Sequence, residues 1–64
     1  MKLLSKKEVR AKTTYSPAHI DRLEAKGLFP KRIKLGQLRV AWVESEVDTW
    51  IAERILERDQ SAGS

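Results

Sequence analysis

Cysteine is absent from this chain of 64 residues, histidine occurs once and glycine three times, and each scarcity closes a route to function. Without cysteine there are no disulfides and no thiolate ligands, so the fold must rest on a compact apolar core. His19, with no second histidine and no cysteine beside it, builds neither a zinc site nor a Cys/His dyad. The glycines stand apart at 27, 36 and 63, so there is no glycine-rich phosphate loop. No apolar run approaches the roughly 20 residues of a membrane span, and Met1-Lys2-Leu3-Leu4 is too short for a signal peptide. At this length a domain buries only about 60% of the surface it exposes unfolded, which leaves no room for a deep catalytic cleft. The expectation is a cytoplasmic, non-enzymatic protein with no cofactor, metal or membrane partner.

What is present is charge, unevenly placed. Residues 1–42 hold eleven Lys/Arg against three acids, net +8, and residues 43–64 hold two Arg against six acids, net −4. A basic body with an acidic C-terminal end favours a polyanion on one surface and keeps the other for something else.

The clearest local unit is the stretch 16–27. Ser16 suits a helix N-cap and Pro17 the first helical position, where a missing N–H costs nothing. Tyr15 and Ile20 have hydrophobic-staple spacing, and Gly27 can take the left-handed conformation that ends a helix. The apolar side of this helix carries Ile20 and Leu23, with Leu28 closing over them, which leaves Ala18, His19, Arg22 and Lys26 on or near the other side. Such a helix can enter a groove.

Before it, Ser5 and Glu8 have capping-box spacing and Leu4 and Val9 staple spacing, predicting a first helix to about Ala11 or Lys12. A turn at Thr13-Thr14-Tyr15 then gives helix, tight turn, capped helix, the helix-turn-helix arrangement. After it, Pro30 stops the helix and holds Phe29 extended. Segments 31–35 and 38–42 alternate about Gly36-Gln37, a two-residue link suited to a type II′ turn. That register sets Leu35 opposite Leu38 and Ile33 opposite Val40 on a core face, and Lys34 opposite Arg39 on the other. Like charges directly across a ladder destabilise it; a phosphate between them reverses the sign, and the bland alternative is two side chains splayed into water. A third helix opens at Val43, acidic in its first turn, with Val43, Val47, Trp50, Ile51 and Ile55 as its apolar stripe. Trp50 reads as a core residue rather than a stacking platform. The fold class expected is α+β: a small winged helix-turn-helix over residues 1–58, followed by a disordered tail at 59–64.

Taken together, Leu4-Ser5-Lys6-Lys7-Glu8-Val9, segment 16–23, Gly27-Leu28-Phe29-Pro30, Lys34-Leu35-Gly36 and segment 42–51 resemble the AlpA family of phage and prophage regulators. That family is itself similar to phage excisionases and to the DNA-binding domain of MerR regulators, and the likeness covers about residues 3–55. It implies a small DNA-binding protein of bacterial or viral origin, working at the nucleoid. The implied roles are a transcriptional regulator, an excisionase directing a phage integrase, or both. Thr14 stands where the family's turn usually carries Gly, so a looser turn or a different backbone conformation is expected there. His19 and Asp21 also differ from many relatives, so no sequence preference is transferred.

The mechanism expected is duplex binding without catalysis. Helix 17–26 enters the major groove, with Pro17, Ala18 and His19 close to the bases and Arg22 reaching a guanine edge or a phosphate. Ser16 meets phosphate if the cap leaves its hydroxyl free, and His19 has the plain alternative of an exposed polar filler. Lys26 extends the same outer face, Lys6, Lys7 and Arg10 hold the backbone beside the first helix, and Lys34, Gln37 and Arg39 do so from the wing at 31–42. One such domain spans few base pairs, so further copies on adjacent sites, or a phage integrase, are candidate partners. The alternative is an interaction adaptor or anti-repressor working through the third helix. It requires an exposed apolar patch at Val47, Ile51, Ile55 and Leu56, and the +8 body stands against it. RNA is weaker still, because the A-form major groove is too narrow for a recognition helix.

Overall fold

Both N-terminal helices start where their capping residues stand. In the computed structural model, which describes residues 1–62, the Ser5 hydroxyl accepts from the Glu8 N–H at 3.2 Å and the Glu8 carboxylate accepts from the Ser5 N–H at 2.9 Å. This capping box opens α1 (Lys6–Thr13), with the staple residues Leu4 and Val9 both buried. The Ser5 backbone bond, then its hydroxyl, holds the Glu8 carboxyl below its ordinary pKa. The second helix, α2 (Pro17–Ala25), is capped by Ser16, whose hydroxyl accepts from the His19 N–H at 3.2 Å.

The two helices end alike, on residues in the left-handed region. Gly27 has φ 72°, and the Leu28 N–H donates to the Leu23 carbonyl at 2.8 Å while the Gly27 N–H donates to that of Glu24 at 3.0 Å, a Schellman motif. Thr14 closes α1 at φ 61° and ψ 8°, its N–H donating to the Arg10 carbonyl at 2.7 Å. The turn is therefore tight without a glycine, but a β-branched residue at positive φ is strained. Thr13 helps to hold it, donating from its hydroxyl to the Val9 carbonyl and accepting from the Tyr15 N–H.

The sheet has one more strand than the sequence predicts. β1 (Leu3–Leu4), β2 (Ile33–Lys34) and β3 (Val40–Val43) form an antiparallel sheet in the order β1-β3-β2. Leu3 pairs with Val43 and Leu4 with Trp42, and the Glu44 N–H donates to the Lys2 carbonyl at 2.9 Å. Two residues are too short a run to show alternation.

The hairpin register departs from expectation by one residue. Ile33 pairs with Ala41 and Lys34 with Val40, and the Leu35 N–H donates to the Arg39 carbonyl at 2.9 Å, so the link is Gly36-Gln37-Leu38 rather than two residues. A slip of one residue turns every side chain of a strand to the other face. Ile33, Leu35 and Leu38, expected on the core face, are exposed, and Lys34 no longer opposes Arg39. The physical reason lies in Trp42. This register brings Arg32 level with Trp42 and sets the guanidinium 5.0 Å from the indole centroid, while the repulsive Lys34/Arg39 pairing is avoided.

The core takes one residue from nearly every segment: Leu4, Val9, Ile20, Phe29, Trp42 and Val47, with Tyr15, Leu23, Val40, Trp50 and Ile51 packed against it. The last helix, α3 (Glu44–Ala62), runs further than the sequence suggests and includes much of the tail expected to be disordered; Gly63 and Ser64, the end of that tail, lie outside the described residues. Its apolar stripe holds the core at Val47, Trp50 and Ile51 and then emerges, since Ile55 and Leu56 are exposed. The radius of gyration, 12.8 Å, exceeds the roughly 11 Å of a compact chain of this size, as a projecting helix requires.

The matched left-handed residues give a pair of opposite outcomes. Thr14→Gly relieves strain and is expected to raise stability by about 1 kcal/mol, whereas Gly27→Ala introduces the same strain and costs about 1 kcal/mol; urea unfolding of both variants checks the signs. The lowered Glu8 pKa makes a pH prediction. A depressed carboxylate contributes stability above its unfolded value, near pH 4.3, and loses it as pH falls through the folded value. The stability advantage of the wild type over Glu8→Gln should therefore shrink as pH is lowered from about 5 to 3, read from thermal melts of both proteins.

Candidate nucleic-acid interface

The outward row of α2 is built by helical spacing from Ala18, Arg22 and Lys26, all exposed, while Ile20 is buried and Leu23 half-buried on the inward side. Ser16 is exposed; its oxygen is occupied by the cap, which leaves the hydroxyl proton free to donate. Pro17 and His19 are half-buried. The His19 ring meets Tyr15 edge-on at 4.4 Å, Tyr15 meets Trp50 at 5.8 Å and Trp50 meets Phe29 at 4.9 Å. His19 is thus braced on an aromatic chain rather than free in solvent. Trp50 packs against the core as expected, its indole N–H donating to the Leu28 carbonyl at 2.8 Å.

The cations separate into two groups. Lys2 and Lys12 pair with Glu44 at 3.7 and 3.4 Å, Lys12 also with Asp48, Arg54 with Glu57 at 2.9 Å, Arg58 with Asp59 at 2.8 Å, and Arg32 with Asp21 and Glu24. The Lys12 pKa is raised, chiefly by its hydrogen bond to Asp48. Among the described residues, the other eight of the thirteen Lys/Arg make no ion pair: Lys6, Lys7, Arg10, Arg22, Lys26, Lys31, Lys34 and Arg39. All eight are exposed and lie on α1, α2 with its cap, or the hairpin and its approach. Seven of them coincide with the cations that the sequence singles out; Gln37 is exposed at the hairpin tip beside Arg39.

Lys31 and Arg32 are what sequence reasoning misses. Lys31 has the same exposed, unpaired character as its neighbours, and only its place before the strand hid it. Arg32 is different in kind. Its Nε donates to both Glu24 oxygens at 3.1 and 3.0 Å, its terminal nitrogen bonds Asp21, and its backbone N–H donates to Glu24 at 3.0 Å. The i, i+3 carboxylates on α2 signal a need for a counter-cation, but not which one.

Among the described residues, no group of three or more His, Cys, Asp or Glu is placed to hold a metal ion, and no helix is long and apolar enough to cross a membrane. Two short helices about a tight turn, the second one capped and cationic on its outer row, with a two-stranded wing behind them, are the parts of a small winged helix-turn-helix protein. The comparison with known families agrees. The chain belongs to the family of the prophage CP4-57 regulatory protein (AlpA), whose model matches residues 2–55. This is a family of prophage regulatory proteins. The chain is also similar to the uncharacterized protein ORF88 of Enterobacteria phage P4, 46% identical over 43 residues that make up 67% of this chain and 49% of that one. The chain thus spans about half the length of the curated relative it matches. No solved structure matches it.

Proposed function

We propose that this protein binds double-stranded DNA sequence-specifically as a phage or prophage regulator, an excisionase, or both, with 17–26 as the recognition helix and 31–42 as the wing. The observation that carries this reading is the sorting of the cations. Pairs with acids consume those on β1's approach, the end of α1 and α3, together with Arg32 at the root of the hairpin, while every unpaired one among the described residues sits on α1, around α2 or along the hairpin. Unpaired exposed cations lose nothing by exchanging water and counterions for phosphates, and counterion release then drives binding.

In this reading Arg22, on the outward row, meets a base edge or phosphate beside Ala18 and the braced His19, and Ser16, Pro17 and Lys26 lie along the same approach. Lys6, Lys7 and Arg10 hold the backbone from α1, and Lys34, Gln37 and Arg39 from the wing. The register observed for the hairpin puts Lys34 and Arg39 on opposite faces, so they grip different phosphates rather than sharing one. Further copies on adjacent sites supply the specificity that one small domain lacks, and in an excision role the partner is the phage integrase. An adaptor working through α3 has less in its favour, because Val47 is fully buried and Ile51 packs on the core, reducing the required patch to Ile55 and Leu56.

The test is a titration into DNA from upstream of the protein's own coding sequence and into random duplex, each at two salt concentrations. Neutralising about five to seven phosphates gives a slope of log K against log salt of roughly −4.5 to −6 per protomer. Arg22→Ala is expected to erase discrimination between the two duplexes, whereas Lys34→Ala weakens both alike and makes the slope shallower by about one. Equal loss on both duplexes for Arg22→Ala removes it from base reading, and absence of binding to either duplex by the wild type ends the DNA reading.

A further inference from the structure

The recognition helix carries an electrostatic contradiction. Along helix 17–26, Asp21 and Glu24 offset Arg22 and Lys26, net 0, a poor balance for an element that is to approach a polyanion. Two carboxylates there repel phosphates across the few ångströms of a groove contact, where screening by salt is weakest.

Arg32 answers both carboxylates at once. Its fork spans them, Nε on Glu24 and the terminal nitrogen on Asp21, and its backbone N–H adds a bond to Glu24. The guanidinium is fixed from beneath by the Trp42 ring at 5.0 Å, which leaves its planar donors aimed at α2. Its side chain is 23% exposed and that of Glu24 15%, so this pair is shielded enough to hold. Asp21 is more open, at 57%. Arg32 is therefore tied on one side to the central strand and on the other to α2, and it stands at the root of the hairpin.

Resting on the DNA-binding reading above, we infer that Arg32 is a positioning residue for DNA binding: it cancels the carboxylates of the recognition helix and ties that helix to the root of the wing without itself contacting DNA. A lysine retains the charge but not the fork; a methionine retains the stem on Trp42 and loses the charge. These two losses are separable by experiment.

Affinities are measured for wild type, Arg32→Met, Arg32→Lys and the triple variant Arg32→Met/Asp21→Asn/Glu24→Gln, on upstream DNA and on a random-sequence duplex, at low and at physiological salt, with a thermal melt of each protein. Arg32→Met is expected to lose about tenfold on both duplexes at low salt, with a smaller loss at higher salt, because the uncovered carboxylates act through a screened field. The triple variant is expected to return to within about threefold of wild type, since it removes the charges that Arg32 covers, and Arg32→Lys to stay within the same margin. Wild-type affinity in folded Arg32→Met overturns the inference, as does a folded triple variant as weak as Arg32→Met. If Arg32→Met does not fold, Arg32→Lys decides: a tenfold loss there with the charge intact overturns the screening role. A wild type that binds DNA while these variants fail the pattern sinks this inference alone; a wild type that binds neither duplex sinks both.

Discussion

The burial of Trp42 is the constraint on which the rest of the molecule depends. It lies on the middle strand, fully enclosed, with Leu4 paired to it from β1, and it shares the core with residues from both short helices and from α3. Among the described residues its indole N–H has no hydrogen-bond partner, an omission that costs about 1–3 kcal/mol, so the ring is held by shape and by the guanidinium above it. In a domain this small, one large side chain at the centre of the shared core supplies a disproportionate part of the apolar burial. The register of the hairpin, the seat of Arg32 and hence the charge state of α2 all follow from where that ring is placed.

The helix-turn-helix was legible because its signals are local. Ser5 with Glu8, Ser16 with Pro17 and Gly27 act within one turn of the chain, and all of them form the caps that their spacing implies. The hairpin was half legible. Its existence follows from alternation about Gly36, but its register is decided by Arg32 and Trp42, which have no sequence relation until the strands pair. β1 was invisible for the same reason, since a two-residue strand, Leu3 on Val43 and Leu4 on Trp42, exists only by virtue of a partner far along the chain. Of the candidate interface, the unpaired cations could be read as a net excess in the first two thirds of the chain, yet which were free and which were spent on acids could not. Lys12 and Arg32 count as basic in the sequence and are neutralised in the fold.

Charge is thus organised twice over. The acids of α3 take up Lys2 and Lys12 at the helix start and Arg54 and Arg58 further along, so the basic excess left uncompensated is concentrated on α1, α2 and the hairpin. Such surface pairs contribute little stability individually. Their effect is to sharpen a contrast in field between the two ends of the molecule, the quantity that orients a charged partner during encounter.

The sheet order has a consequence for how the chain acquires its structure. The middle strand is the last of the three to be made, so neither edge strand has anything to pair with until residues 40–43 are present. α1 and α2, each under ten residues, are too short to persist in isolation, and their inward residues Val9 and Ile20 close on Trp42 and Val47. The helix-turn-helix is therefore not a module that folds and then receives a wing. Its order is conferred backwards along the chain by the strand that follows it, and a chain that stops short of β3 carries the sequence of α2 without the packing that holds it as a helix.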